Sequence, residues 1–172
     1  GHNQKGKIAC GAVGLIDESE QARKVVGYML WYLKEKGHTV YNCTVNDGTS
    51  QSNVLKKIIA KCNQHKVDLD ISIHFNAGRS DLKGDGDIAG VEACIYSTTS
   101  AAKKYAASIC NYVNKLGFDN RGVKVRTDLY YLKNTSSPAV LVECCFVDDK
   151  DDVTLYDYKK MAKAIVNGLL AV

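Results

Sequence analysis

The chain is 172 residues long, the length of one domain, with 45% hydrophobic and 24% charged residues, which excludes disordered, collagen-like and low-complexity chains. Its net charge of +4 is too small and too diffuse to point to nucleic acid, although it would not repel an anionic polymer. Apolar runs are short and broken by Lys, Glu or Gly, so neither a membrane span nor a signal peptide is visible.

Two periodicities alternate along the chain. Residues 17–36 carry Ala22, Val25, Val26, Met29, Leu30 and Leu33 at helical spacing. After Gly37, the run Thr39 to Val45 reads as a strand. Val54 to Cys62 returns to helical spacing, and Asp68 to Phe75 alternates strictly, as a strand does. Gly78 to Gly90, rich in Gly and Asp, reads as a long surface insertion and a candidate wall for a ligand groove. Gly90 to Tyr96 predicts another strand, and Ala102 to Leu116 another helix. Ala139 to Val147 is apolar except for one Glu, which suits a strand buried on both faces; a last helix carries Met161, Ala162, Ile165, Val166 and Leu169. The expected fold over residues 1–172 is therefore α/β: a single three-layer domain, its mostly parallel central sheet flanked by helices. Ligands bind such sheets outside the C-terminal ends of the strands.

Seven cysteines without a CxxC pair support neither a zinc ribbon nor a thioredoxin motif, and read as small buried hydrophobes. Other constellations are equally thin. Cys62 and His65 lack a second ligand pair, Ser72 is a neighbour of His74 rather than an aimed nucleophile, and Gly84 to Asp87 lacks the remaining positions of a calcium loop.

Three acidic or basic groups sit where apolar elements do not need them. In the Asp68–Asn76 stretch, Leu69, Ile71, Ile73 and Phe75 point one way and Asp70, Ser72, His74 and Asn76 the other. His74, near the strand's end, reads as a ligand or as a hydrogen-bonded, half-buried histidine. Glu143 inside AVLVECCFV would lose its hydration, at a cost of several kcal/mol if unpaired. It demands a metal, a shifted pKa or a basic partner such as Arg126. Asp17 and Glu20 have capping-box spacing, whereas Glu18 continues the apolar stripe through Ala22, Val25 and Met29, about 200° of helix away from Glu20. A first-turn acid also favours the helix dipole wherever it points. His2 says nothing by itself. Taken together, His2, Glu18 and His74 as ligands with Glu143 as base match a recurrent zinc-hydrolase pattern, in which a metal-activated water is deprotonated by a carboxylate outside the shell.

The order GHN, GAVGLIDESEQARKV, LKEKGHTVY, DLDISIHFNAG, GVEACIYS and RGVKVRTDLYYLKNTSSPAVLVECCFVDD resembles the zinc-dependent N-acetylmuramoyl-L-alanine amidases, above all endolysin catalytic domains of clostridial phages, over nearly the whole chain. The resemblance implies Zn2+ held by His2, Glu18 and His74, with Glu143 as acid/base and Asn76 close to the substrate. It implies peptidoglycan as substrate, cut between the lactyl group of N-acetylmuramic acid and L-alanine. It also implies a monomer made in the cytoplasm that acts on the cell wall after release, with no nucleic-acid partner and no membrane insertion. In that family a strand ends at the Gly-His, so a first strand is expected upstream of Gly1, and a wall-binding domain lies outside residues 1–172. A non-catalytic wall-binding module of the same fold and a zinc peptidase acting within the stem peptide are the alternatives.

Overall fold

Helix α1 (Glu18–Glu35) begins where Asp17, in extended backbone, accepts a hydrogen bond from the Glu20 amide at 3.2 Å. Only half of the expected capping box forms, because Lys24 and Lys5 take the Glu20 carboxylate. The helix stops at Gly37, whose φ of +83° lets His38 N–H reach Leu33 O and Gly37 N–H reach Lys34 O. In this computed structural model, which describes residues 1–172, α2 (Gln51–Cys62), β1 (Asp70–Asn76), β2 (Val91–Ile95), α3 (Ala102–Asn114), β3 (Asn120–Val125), α4 (Tyr130–Asn134), β4 (Ala139–Phe146), α5 (Lys150–Leu155) and α6 (Tyr158–Leu170) follow.

The strands form one open sheet in the order β1-β4-β2-β3. Two of its three pairings, β1 with β4 and β2 with β3, are parallel, and β2 meets β4 antiparallel. The expected α/β architecture, with a mostly parallel sheet, is the one found. One face packs on α1, α3 and α6 through Val25, Ile73, Ile109, Val142 and Ile165. The other packs on α2 and α4 through Val54, Ile58, Cys94 and Leu141. Strand β4 sits between two neighbours and two helical layers, which is why its sequence is apolar almost throughout. β1 is an edge, and its alternation follows: Ile73 and Phe75 face the α1 layer, while Asp70, Ser72 and His74 face the α2 side.

The expected strand over 39–45 does not form. That segment is irregular, and a cavity of about 730 Å³ separates it from the outer edge of β1, so its backbone meets no ladder. Its carbonyls are satisfied by side chains instead, Thr44 O by Lys61 and Val45 O by Arg23. The Gly78–Gly90 insertion is irregular as expected, but it packs on the turn after β4: Gly78 and Ser80 amides donate to Asp148, and Asp85 and Gly86 amides to Asp151. It does not line the cavity described below. All seven cysteines are free, and Cys144 and Cys145 are fully buried.

Candidate metal centre

The parallel β1/β4 register sets His74 directly beside Glu143, at the end of the sheet where α1 begins. The antiparallel β2/β4 register then places Glu92, near the start of β2, on the other side of Glu143. Glu18 reaches in from the first turn of α1, and its carboxylate accepts hydrogen bonds from Ala12 N at 2.7 Å and Phe75 N at 3.2 Å. His2 arrives from the opposite wall. Three donor atoms converge: His2 Nε2 lies 3.0 Å from Glu18 Oε1, His74 Nδ1 lies 2.9 Å from the same oxygen, and the two nitrogens are 3.1 Å apart.

This spacing is a poor hydrogen-bond arrangement and a good coordination shell. Two imidazole nitrogens and one carboxylate oxygen have too few protons to satisfy every short contact. A tetrahedral shell with ligand bonds of about 2.0–2.2 Å has donor–donor edges of roughly 3.3 Å. Burial pushes the Glu18 carboxyl up, but hydrogen bonds from His2 and His74 outweigh it and hold Glu18 well below the usual carboxylate range. Burial lowers His74 to about 3, which keeps its ring neutral, the form that ligates a cation. Gly11, at φ +86°, lies against the cluster; a Cβ there would come within 2.7 Å of His2 Cδ2 and strike the Glu18 carboxylate.

Side chains around the shell fix its orientation. Ser72 Oγ lies 3.0 Å from His74 Nε2, which leaves Nδ1 to face Glu18. Arg23, five residues beyond Glu18 on α1, donates from Nη2 to His2 O at 2.9 Å and to Val45 O at 3.0 Å, and from Nη1 to Asn46. Sequence reasoning missed Arg23 because its acceptors are distant in the chain, and it weighed Ser72 only as a nucleophile rather than as a partner of the His74 ring.

Glu143 faces a cavity of about 400 Å³ that it shares with His2, Glu18 and His74, walled by Val54 and Ile58 of α2 and by Tyr130 and Tyr131. Its Oε2 is buried with no hydrogen-bond partner. Burial, reinforced by the charges of Glu18 and Glu92, pushes its carboxyl up to about 8. The structural alternative, an ion pair with Arg126, is not realised: Arg126 grips Asp128 through Nε and Nη2 at 2.9 and 2.8 Å. Asn76 lies apart from the three donors, turned towards Glu92, with Nδ2 3.5 Å from Oε1. Glu92 itself is buried and held by Arg121 Nε at 2.9 Å. A lone acid in the GVEACIY strand is the same signal that exposed Glu143, and it would have flagged Glu92.

A second group of acids, Asp81, Asp149 and Asp151, also clusters within ligand reach. Its oxygens are already engaged by the amides of Gly84, Asp85, Gly86 and Asp152 and by Arg79, so the arrangement explains itself as a loop clasp.

Comparison with known proteins places these features in context. The profile of the family described as N-acetylmuramoyl-L-alanine amidase matches residues 1–171. An uncharacterized protein of Clostridium perfringens is 36% identical over 160 residues, which span 92% of this chain and 45% of that protein. An endolysin of Bacillus phage SPP1 is 34% identical over 124 residues, 70% of this chain and 45% of the endolysin. This chain thus spans about half the length of the curated relatives it matches. Among solved structures, the catalytic domain of the CD27L endolysin targeting Clostridia difficile superposes with a TM-score of 0.81 at 28% identity, over 94% of this chain and 87% of that one.

Proposed function

The chain belongs to the N-acetylmuramoyl-L-alanine amidase family, and from that membership we propose that it is a zinc-dependent peptidoglycan hydrolase, cleaving the amide between the lactyl group of N-acetylmuramic acid and L-alanine. The observation that carries this reading is the convergence of His2 Nε2, Glu18 Oε1 and His74 Nδ1 within 3.1 Å of one another, on the wall of the cavity that holds Glu143. Two imidazoles and one carboxylate form a three-ligand set of the kind that leaves a coordination position for water and substrate. When bound there, zinc supplies a Lewis acid for the scissile carbonyl and lowers the pKa of water to about 7.

The protein's own groups do the rest. His2, Glu18 and His74 hold the cation, and Ser72 and Arg23 hold two of those ligands in place. Glu143, buried and without a hydrogen bond on Oε2, takes the proton of the attacking water and returns it to the alanine nitrogen as the C–N bond breaks. Glu92 and Glu18 favour the protonated carboxyl that this second step needs. The opening between α2 and Tyr130–Tyr131 admits the muramyl peptide; Asn76, turned towards Glu92, would meet only a part of the substrate that extends past this cavity. The endolysin relative supports a setting in which the protein meets its substrate in the cell wall after leaving the cytoplasm.

Digestion of purified clostridial cell walls tests the reading. The expected product is newly freed L-alanine amino termini. New reducing sugars would mark a glycosidase, amino termini on other stem residues a peptidase, and wall binding without cleavage a binding module. Glu143→Gln should lower turnover by about 10²–10⁴-fold while the protein keeps its zinc; full activity in that variant removes Glu143 from the chemistry.

A further inference from the structure

The irregular segment after α1 runs back along α2 and is fastened to it by a series of side chains. Tyr41 stacks on His65, with ring centroids 3.6 Å apart and 8° between the planes. Lys61 Nζ donates to Thr44 O at 2.8 Å, and Lys57 Nζ to the Asp47 carboxylate at 2.8 Å. The partners descend as the segment ascends, 41 with 65, 44 with 61 and 47 with 57, so position 43 falls opposite the end of α2. There Cys43 packs against the apolar cluster that contains Cys62, and both residues line the cavity between the segment and β1. Both are free thiols; Cys43 is half-buried and Cys62 buried.

We propose that Cys43 and Cys62 are a dithiol site for low-molecular-weight disulfides such as glutathione disulfide, which closes a Cys43–Cys62 bond and staples the segment to α2. The Cys43 thiolate attacks one sulfur of the oxidant, the oxidant's S–S bond breaks, and one glutathione leaves as its thiolate. Cys62 sulfur then attacks the Cys43 sulfur of the mixed disulfide, and its proton goes with the second glutathione. Two protein thiols are oxidised, and one small disulfide is reduced to two thiols. The order of attack follows from the surroundings: proximity to Cys62 draws the Cys43 thiol below the usual range, and the same proximity, with burial, pushes Cys62 far up. The staple has a structural target. Val45 and Asn46, just beyond Cys43, are the acceptors through which Arg23 is held against His2 O. Oxidation therefore stiffens the support of one proposed ligand without touching the ligand itself.

The experiment exposes the reduced full chain to glutathione disulfide, caps residual thiols by alkylation, digests with trypsin and follows unfolding in parallel. Cleavage after lysine puts Cys43 in the 37–56 peptide and Cys62 in the 62–66 peptide, so the cross-link is unambiguous. The expected result is those two peptides joined, with a Tm raised by roughly 5–10 °C. In Cys62→Ser the reaction should stop at a glutathione adduct on Cys43. In Cys43→Ser neither cross-link nor Tm gain should appear, while the reduced variant melts within about 2 °C of the parent. Recovery of both residues as alkylated thiols, or a bond mapped to any other cysteine pair, overturns the proposal, and it does so whatever the fate of the hydrolase reading.

Discussion

Glu143 owes its character to what surrounds it rather than to any partner. Its carboxyl sits at about 8 in the folded chain against an ordinary value of 4.5, because burial and two neighbouring carboxylates oppose its charge. A group raised on folding contributes stability that is fully present below its unfolded value and is lost as pH rises through its folded value. The metal-free protein should thus lose stability between pH 4.5 and 8, by about 1.4 kcal/mol per unit of raised pKa at most. Glu143→Gln should flatten that decline, so the variant melts above the parent at pH 9 and level with it near pH 4; parallel melts across that range decide the matter. Arg23 acts at one remove. Arg23→Ala leaves all three donors in the chain but frees the His2 carbonyl, and should weaken zinc binding by about 10–100-fold in a competition titration against a chelating dye. An unchanged affinity would reduce Arg23 to a strut for residues 45–46. Glu143 was legible in the sequence because a charge in an apolar run has to be compensated, by a metal, a shifted pKa or a basic partner, and each of these marks the position. Arg23 was not, since an arginine on a helix is ordinary until its acceptors are seen.

The elements differ in how plainly they announce themselves. β4 and β1 could be read because each buries a defined face, β4 both and β1 one. β3 escaped notice: at the far edge of the sheet it buries little, and NRGVKV carries neither clean alternation nor an apolar run. The 39–45 run misled in the opposite sense, its β-branched and aromatic residues promising a strand that no neighbouring ladder completes. The antiparallel β2/β4 seam could not be foreseen from strand–helix alternation, yet it is what brings Glu92 to Glu143. Asp152 of α5 holds that seam. Fully buried, it accepts from Phe146 N at the end of β4 at 2.8 Å and from Gly90 N before β2 at 3.1 Å. Asp152→Ala would orphan two buried amides, and should cost about 2–4 kcal/mol in urea unfolding. Asp152→Asn, which keeps one acceptor oxygen, should recover part of the loss. If alanine costs nothing measurable, the seam is held by packing alone.

Across the whole molecule, the proposed centre is a long-range object. His2, Glu18 and His74 come from a loop, a helix and a strand, so a bound ion would tie three separate segments of the chain together. On the proposed reading zinc binds the folded chain and finds no such site in the unfolded one, so saturation at 100 times Kd should stabilise the fold by about 2.7 kcal/mol. Adding a chelator should lower Tm by the corresponding amount in the parent and in Glu143→Gln, but not in His74→Ala; an equal shift in all three would place the ion elsewhere. The central position of β4 carries a last consequence, for the timing of activity during synthesis. All three ligands leave the ribosome well before Glu143, yet the strand bearing Glu143 is the one that joins β1 to β2. A nascent chain can gather ligands but has neither the base nor a closed sheet to aim it. On the proposed reading, each chain gains competence to cut the wall only when β4 has joined the sheet, at the completion of its own folding.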